Sequence, residues 1–198
     1  MTIQIIIYNL LRDILENGFK KQKQYIRDKL FTQELRGEKI LDLGCGTGTY
    51  AQLFDEHSYI GLEINQDYIK YAKQCKEGNF VLGNACCLPF KNGAFGSVCS
   101  IAVFHHLPEA QILDILKEVK RVIGYSRLFL LMDQVDIRVN FLIDWLFRLI
   151  RYFDKGKFIR TPQDNLNILA KEPDFDIIDS WTFRNCLITY QGILLRRK

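Results

Sequence analysis

The sequence predicts an α/β domain: a mostly parallel sheet with helices on both faces, finished by an antiparallel pair of strands. Three observations predict it. From residue 39 onward short apolar runs alternate with helical patterns, and parallel neighbours need crossover helices between them. One apolar run, Ile40-Leu41-Asp42-Leu43, leads directly into Gly44, Gly46 and Gly48. The last two apolar runs are joined by too short a link for another crossover, which suits antiparallel pairing.

The elements follow in order. Residues 3–35 read as helical, with Ile3, Ile6, Ile7, Leu10, Leu11, Ile14 and Leu15 on a helical stripe and Gly18 ending the first helix. The basic segment after it carries Lys20, Lys21, Lys23, Arg27 and Lys29, which read as a solvated face or as a surface for an acidic group. Strands are expected at Lys39–Leu43, Tyr59–Glu63, Phe80–Gly83, Phe95–Val103 and Arg127–Asp133, with helices at about 49–57, 66–76 and 109–123. Residues 136–153 form a strongly apolar helical pattern whose polar positions, Asn140, Asp144, Arg148 and Arg151, fall on one stripe. Thr161-Pro162 opens another helix, with threonine as cap and proline at its first position. Asp174–Phe183 and Leu187–Leu195 are the closing strand pair. One domain over 1–198 is expected, with a helical cap (1–37), a core (38–134) and a region of lid helices and closing strands (135–198).

Composition excludes several classes. With 48% hydrophobic and 25% charged residues the chain is too apolar for disorder. A net charge of +4 is too mild to demand a nucleic-acid partner, and none is expected. No run of 18 apolar residues exists, so no membrane span is expected, and the start lacks the basic region of a secretory signal. The six cysteines show no C-x-x-C pair and no metal spacing. They read mostly as small buried hydrophobes in a reduced, cytoplasmic protein without a metal, a monomer or homodimer.

The glycine stretch carries the chemistry. Alternate glycines remove the Cβ atoms that would hold a ligand off the backbone, and they permit positive φ. A helix expected directly after the loop would add its N-terminus for an anionic group. The second strand ends at Glu63, 19 residues after Gly44, where an acid can accept from both hydroxyls of a ribose. The nicotinamide fingerprint needs glycine where Thr49 stands, so another nucleoside cofactor is indicated.

With these residues the sequence resembles the class I S-adenosylmethionine-dependent methyltransferases. The Leu41-to-Gly48 loop resembles their first motif, and Gly61-Leu62-Glu63-Ile64-Asn65 their second-strand acid. Gly83 to Phe90 resembles the adenine segment, and Phe95 to Leu107 the fourth strand of the subgroup that holds the ubiquinone/menaquinone methyltransferases. The resemblance covers about residues 38–134. It implies a Rossmann-like, seven-stranded sheet and S-adenosylmethionine as cofactor. It implies that Gly44, Gly46, Thr47 and Gly48 line the methionine portion, that Cys45 belongs to the same cofactor-binding loop, and that Asp42 orients the amino group through the loop. Glu63 would hold the ribose, Ile64 would lie against the adenine, Asn84 and Ala85 would meet its edge, and Ile101 would lie near the cofactor. Phe95-Gly96 and Ile123-Gly124-Tyr125-Ser126 depart from the family pattern, and both changes bear on loop geometry.

Methyl transfer is an in-line displacement that needs alignment above all, and a base only where the acceptor carries a proton to be removed. His105 and His106 are the candidates, since they follow the fourth strand at its carboxyl edge. The apolar segment 136–153, with Phe141, Trp145 and Arg148, reads as a wall for a lipophilic acceptor or as a packing surface. Three functions compete: methyl transfer to a small, lipophilic acceptor, methyl transfer to RNA through the basic 20–29 segment, and a cofactor-fold partner subunit without catalysis.

Overall fold

Each strand of the core alternates its side chains between two apolar layers, and that alternation sets the architecture. The computed structural model describes residues 3–31, 37–136, 156–185 and 188–198. Two helices come first, α1 (Ile3–Leu15) and α2 (Lys20–Leu30). They are followed by β1 (Ile40–Leu43), β2 (Tyr59–Glu63), α3 (Gln66–Cys75), β3 (Asn79–Leu82), β4 (Phe95–Ile101), α4 (Glu109–Val122) and β5 (Ile123–Gln134). Next come α5 (Pro162–Leu169), β6 (Phe175–Asn185) and β7 (Ile188–Arg197). The sheet order is β3-β2-β1-β4-β5-β7-β6, parallel except that β7 runs antiparallel to both β5 and β6. The expected seven strands and closing antiparallel pair are both present.

On one face Ile40, Cys99, Leu130 and Met132 pack with Ile26 and Leu30 of α2 and with Ile69 and Ala72 of α3. On the other, Leu41, Leu43, Val98, Phe129 and Leu131 pack with Ile112, Ile115, Leu116 and Val119 of α4 and with Ile168 and Leu169 of α5. Helix α5 begins as expected: Thr161 accepts from the Asp164 amide, the Asp164 carboxylate accepts from the Thr161 amide, and Pro162 opens the first turn.

Three expectations need correction. No α-helix covers 49–57: a short 3₁₀ turn, Ala51–Leu53, stands there. The link between β1 and β2 has 15 residues, and the glycine loop uses the first five, Gly44 to Gly48. Thr49, Tyr50 and Phe54 disfavour the remaining short helix. Helix α1 ends before Gly18, and Asn17, Gly18 and Phe19 all take positive φ (48°, 64° and 55°), turning the chain sharply into α2. Cys75 and Cys87 are exposed, whereas Cys45 and Cys99 are buried as expected. The apolar segment 136–153 lies outside the described residues except for Asp136.

Candidate functional site

The reversal of strand order between β1 and β4 splits the sheet at the carboxyl ends of these strands, where α/β sheets hold their ligands. A cavity of about 370 Å³ opens there, within the range of small-molecule sites. Its floor is the glycine loop. Gly44 takes φ +72° and lies so close to Val103 that a Cβ would fall 2.5 Å from Cγ2. Gly46 takes φ +55°, and a Cβ there would meet nothing within 4 Å. The loop therefore turns on positive φ and presents open backbone to the cavity.

Glu63 ends β2 on the cavity wall. Its Oε2 accepts from the Gly46 amide at 3.1 Å, and its Oε1 accepts from the Ile64 and Asn65 amides at 2.8 Å each. The acid is thereby locked to the loop across two strands. A carboxylate offers about four acceptor positions, so one remains on Oε2 for a ligand hydroxyl. Asn84 and Ala85 form the far wall, where Asn84 Oδ1 accepts from the Cys86 amide at 2.9 Å and shapes the turn. Cys45, Thr47, Ile64 and Ile101 also line the cavity, as does exposed His106.

Three expected residues are absent from that wall. Gly48 (φ +76°) packs against Phe80 and serves the turn. His105 is buried behind His106: its backbone N–H donates to Asp133 Oδ2 at 2.9 Å and its Nδ1 lies 2.5 Å from Asp133 Oδ1. The pair sits on a 3₁₀ turn, Phe104–His106, where the two rings lie 3.9 Å apart between centroids, His105 buried beneath and His106 exposed above it. Asp42 lies beneath the loop, on the α2/α3 face of the sheet. There Tyr59 donates to its Oδ2 at 2.7 Å and the Cys99 thiol donates to it as well.

Burial pushes the Asp42 carboxyl up to about 6. An acid raised in the folded state contributes stability that is present below the unfolded value, 3.8, and lost as pH rises through about 6. Asp42→Asn stays neutral and lacks this loss. The stability of the wild type relative to the variant should therefore fall between pH 3.5 and 7, by at most about 3 kcal/mol. Urea unfolding of both proteins across that range measures it, and parallel stability curves would contradict it.

Two groups reached the site without a sequence signal. Helix α1 brings Arg12 to the wall, and its Asn9 Oδ1 accepts from the Thr47 hydroxyl at 2.9 Å. Arg12 is oriented by Glu16, whose buried carboxylate also accepts from Tyr190 and Gln22. Arg160 acts from behind the wall: its guanidinium donates to the carbonyls of Phe104 (3.0 Å) and Leu107 (2.7 Å), clamping the turn that carries His106. Among the described residues no cluster of three or more candidate metal ligands occurs.

Comparison with known proteins agrees with this geometry. Residues 40–124 match the model of a methyltransferase domain. The chain is 31% identical over 123 residues to a demethylmenaquinone methyltransferase of Thermotoga maritima, covering 59% of this chain and 52% of that protein. It is 30% identical over 105 residues to the human probable tRNA methyltransferase 9B, covering 52% of this chain and 23% of that protein. The chain thus spans about half or less of the length of the curated relatives it matches. Among solved structures it resembles the PH0226 protein from Pyrococcus horikoshii OT3, with a TM-score of 0.71 at 19% identity over 96% of this chain and 98% of that one. It also resembles the magnesium protoporphyrin IX methyltransferase of Synechocystis PCC 6803 with bound SAH, with a TM-score of 0.70 at 16% identity over 95% and 87% of the two chains. Residues 40–124 thus resemble a methyltransferase domain, and the seven-stranded sheet that contains them has the fold of the solved methyltransferase structures this chain resembles.

Proposed function

We propose that this protein transfers a methyl group from S-adenosylmethionine to a small, lipophilic acceptor. The observation that carries the reading is the joining of the open glycine loop to Glu63, which puts a carboxylate and bare backbone on one cavity wall. When bound, the cofactor supplies a methyl group on a cationic sulfur. The residues present fit it. Glu63 would accept from the ribose, Ile64 would lie against the adenine, and Asn84 with Ala85 would meet the adenine edge. Gly44, Cys45, Gly46 and Thr47, which line the cavity, would hold the methionine end. No α-helix N-terminus follows the loop to receive the carboxylate there, and Arg12 on the cavity wall would supply a cation in its place.

The acceptor side is apolar: Val103, Leu107 and Ile115 stand beside His106. The relationship to a demethylmenaquinone methyltransferase supports a lipophilic acceptor. His106 orients the acceptor or takes its proton as the new bond to the methyl carbon forms. Replacing His106 with Ala should cut turnover about 10- to 100-fold while cofactor affinity changes less than about twofold. Radiolabelled methyl transfer to an isoprenoid hydroquinone, with calorimetry of S-adenosylmethionine binding, reads both quantities. Equal turnover in the two proteins would remove His106 from the reaction.

A second reading, methyl transfer to RNA, is favoured by the likeness to the tRNA methyltransferase. The basic segment is partly engaged within the fold, however. Lys21 donates to the Arg184 carbonyl and Lys29 pairs with Asp179. Labelling of total tRNA in place of the hydroquinone would select this reading.

A further inference from the structure

Helix α1 presents its apolar side outward. Ile5, Asn9, Arg12 and Glu16 face the body of the protein: Ile5 is buried, Asn9 holds Thr47, and Glu16 is fixed by Arg12, Gln22 and Tyr190. The Glu16 carbonyl also accepts from Asn185. With this side pinned, the rest of the helix is committed to the surface. Ile3, Ile6, Ile7, Leu10, Leu11 and Ile14 are all large, aliphatic and between 43% and 73% exposed. At 3.6 residues per turn they occupy an arc of about 140°. Scattered exposed aliphatics need no explanation, but six on one continuous face mark an interaction surface.

Charge decides among the occupants. The next helix, α2, follows after a turn of only four residues and exposes Lys20 and Arg27, with half-buried Lys23 between them and Lys21 held on the Arg184 carbonyl. The exposed acids of the two helices are Asp13 and Asp28. An apolar face flanked by a cationic excess complements an anionic lipid surface, where aliphatic side chains sink below the headgroups and Lys and Arg meet phosphates. A second copy of the same face would bring like charges together. We infer that α1 docks this protein on an anionic lipid surface, lying in the interface rather than crossing it. Among the described residues no helix is long and apolar enough to cross a membrane. Because Arg12 and Asn9 of the same helix form or brace the cavity wall, docking would set the cavity beside the lipid surface.

Flotation of the whole chain with phosphatidylcholine vesicles, with and without phosphatidylglycerol, tests the inference. The protein should float with the anionic vesicles, more weakly with neutral ones, and less in high salt. Combined Ile7→Gln, Leu10→Gln and Ile14→Gln substitutions should lower binding about tenfold or more, with an unchanged thermal melt because all three side chains are exposed. Lys20→Gln with Arg27→Gln should reduce the preference for anionic vesicles several-fold. If the triple variant does not fold, Ile14→Gln alone carries the comparison. Absence of wild-type flotation overturns the inference. So does self-association that the triple substitution dissolves, which would assign the face to a second copy. So does a lowered melt in that variant without vesicle binding, which would mean the face is covered within the chain. Flotation is read without methyl transfer, so its failure and a failure of the methyltransferase reading are separately visible.

Discussion

Glu63→Ala should weaken S-adenosylmethionine binding by about 10²- to 10³-fold in calorimetry, equivalent to about 3–4 kcal/mol. Two losses add. One is a charge-assisted hydrogen bond to the ribose, worth roughly 1.5–3 kcal/mol. The other is the anchor of the loop: without the carboxylate, the Gly46, Ile64 and Asn65 amides lose their acceptor. The loop must then be reordered by the ligand itself, which costs binding energy. The isosteric Glu63→Gln is the sharper test, because it preserves shape. Its amide nitrogen would place donors against backbone N–H groups, whichever way it flipped, since both oxygens of Glu63 now accept from backbone. It should therefore lose at least about tenfold. The side chain is only half-buried, so the melting temperature should move little. An affinity within threefold of wild type for Glu63→Ala would remove the carboxylate from the cofactor site.

The contrast between this acid and Asp42 shows what a sequence discloses. Both lie close to the glycine loop in the fold, and both are acids suited to a polar ligand. Glu63 was legible because a strand's last residue must face the carboxyl edge, where the cavity lies. Asp42 lies within β1, where side chains alternate between the two faces, so it went to the packed face with Tyr59. The sheet was legible throughout, since period-two and period-3.6 patterns carry the burial that builds it. Arg12 was not, because a helix at the start of the chain reaches the cavity only through tertiary packing on Thr47 and Tyr190. The helix missing after the loop left a trace that could have been read. Only ten residues remained to reach the next strand, and Thr49, Tyr50 and Phe54 among them disfavour an α-helix.

The histidine pair poses the same problem at one-residue resolution, and Asp133 resolves it. Asp133→Ala should destabilise the protein by about 3–5 kcal/mol, the cost of breaking a buried, hydrogen-bonded pair. For a chain of this size that is a fall of roughly 10 °C in the melting midpoint. The carboxylate accepts from the amides of His105 and Gln134 and from the His105 ring, all away from water. Truncation would leave these donors buried without their acceptor, and nothing small enough to enter could serve all three. The same bonds hold the Phe104–His106 turn against β5, with Arg160 clamping it from the other side. Freed of Asp133, the turn would shift and carry His106 away from the cavity, so turnover should fall at least as far as in His106→Ala. The two variants separate positioning from chemistry: His106→Ala removes an exposed ring and should leave the melt within about 1 °C, whereas Asp133→Ala lowers both melt and turnover. Scanning calorimetry beside the methyl-transfer assay measures the pair. If Asp133→Ala melts like wild type, the buried histidine does not brace its neighbour, and the division of labour between the two rings is wrong.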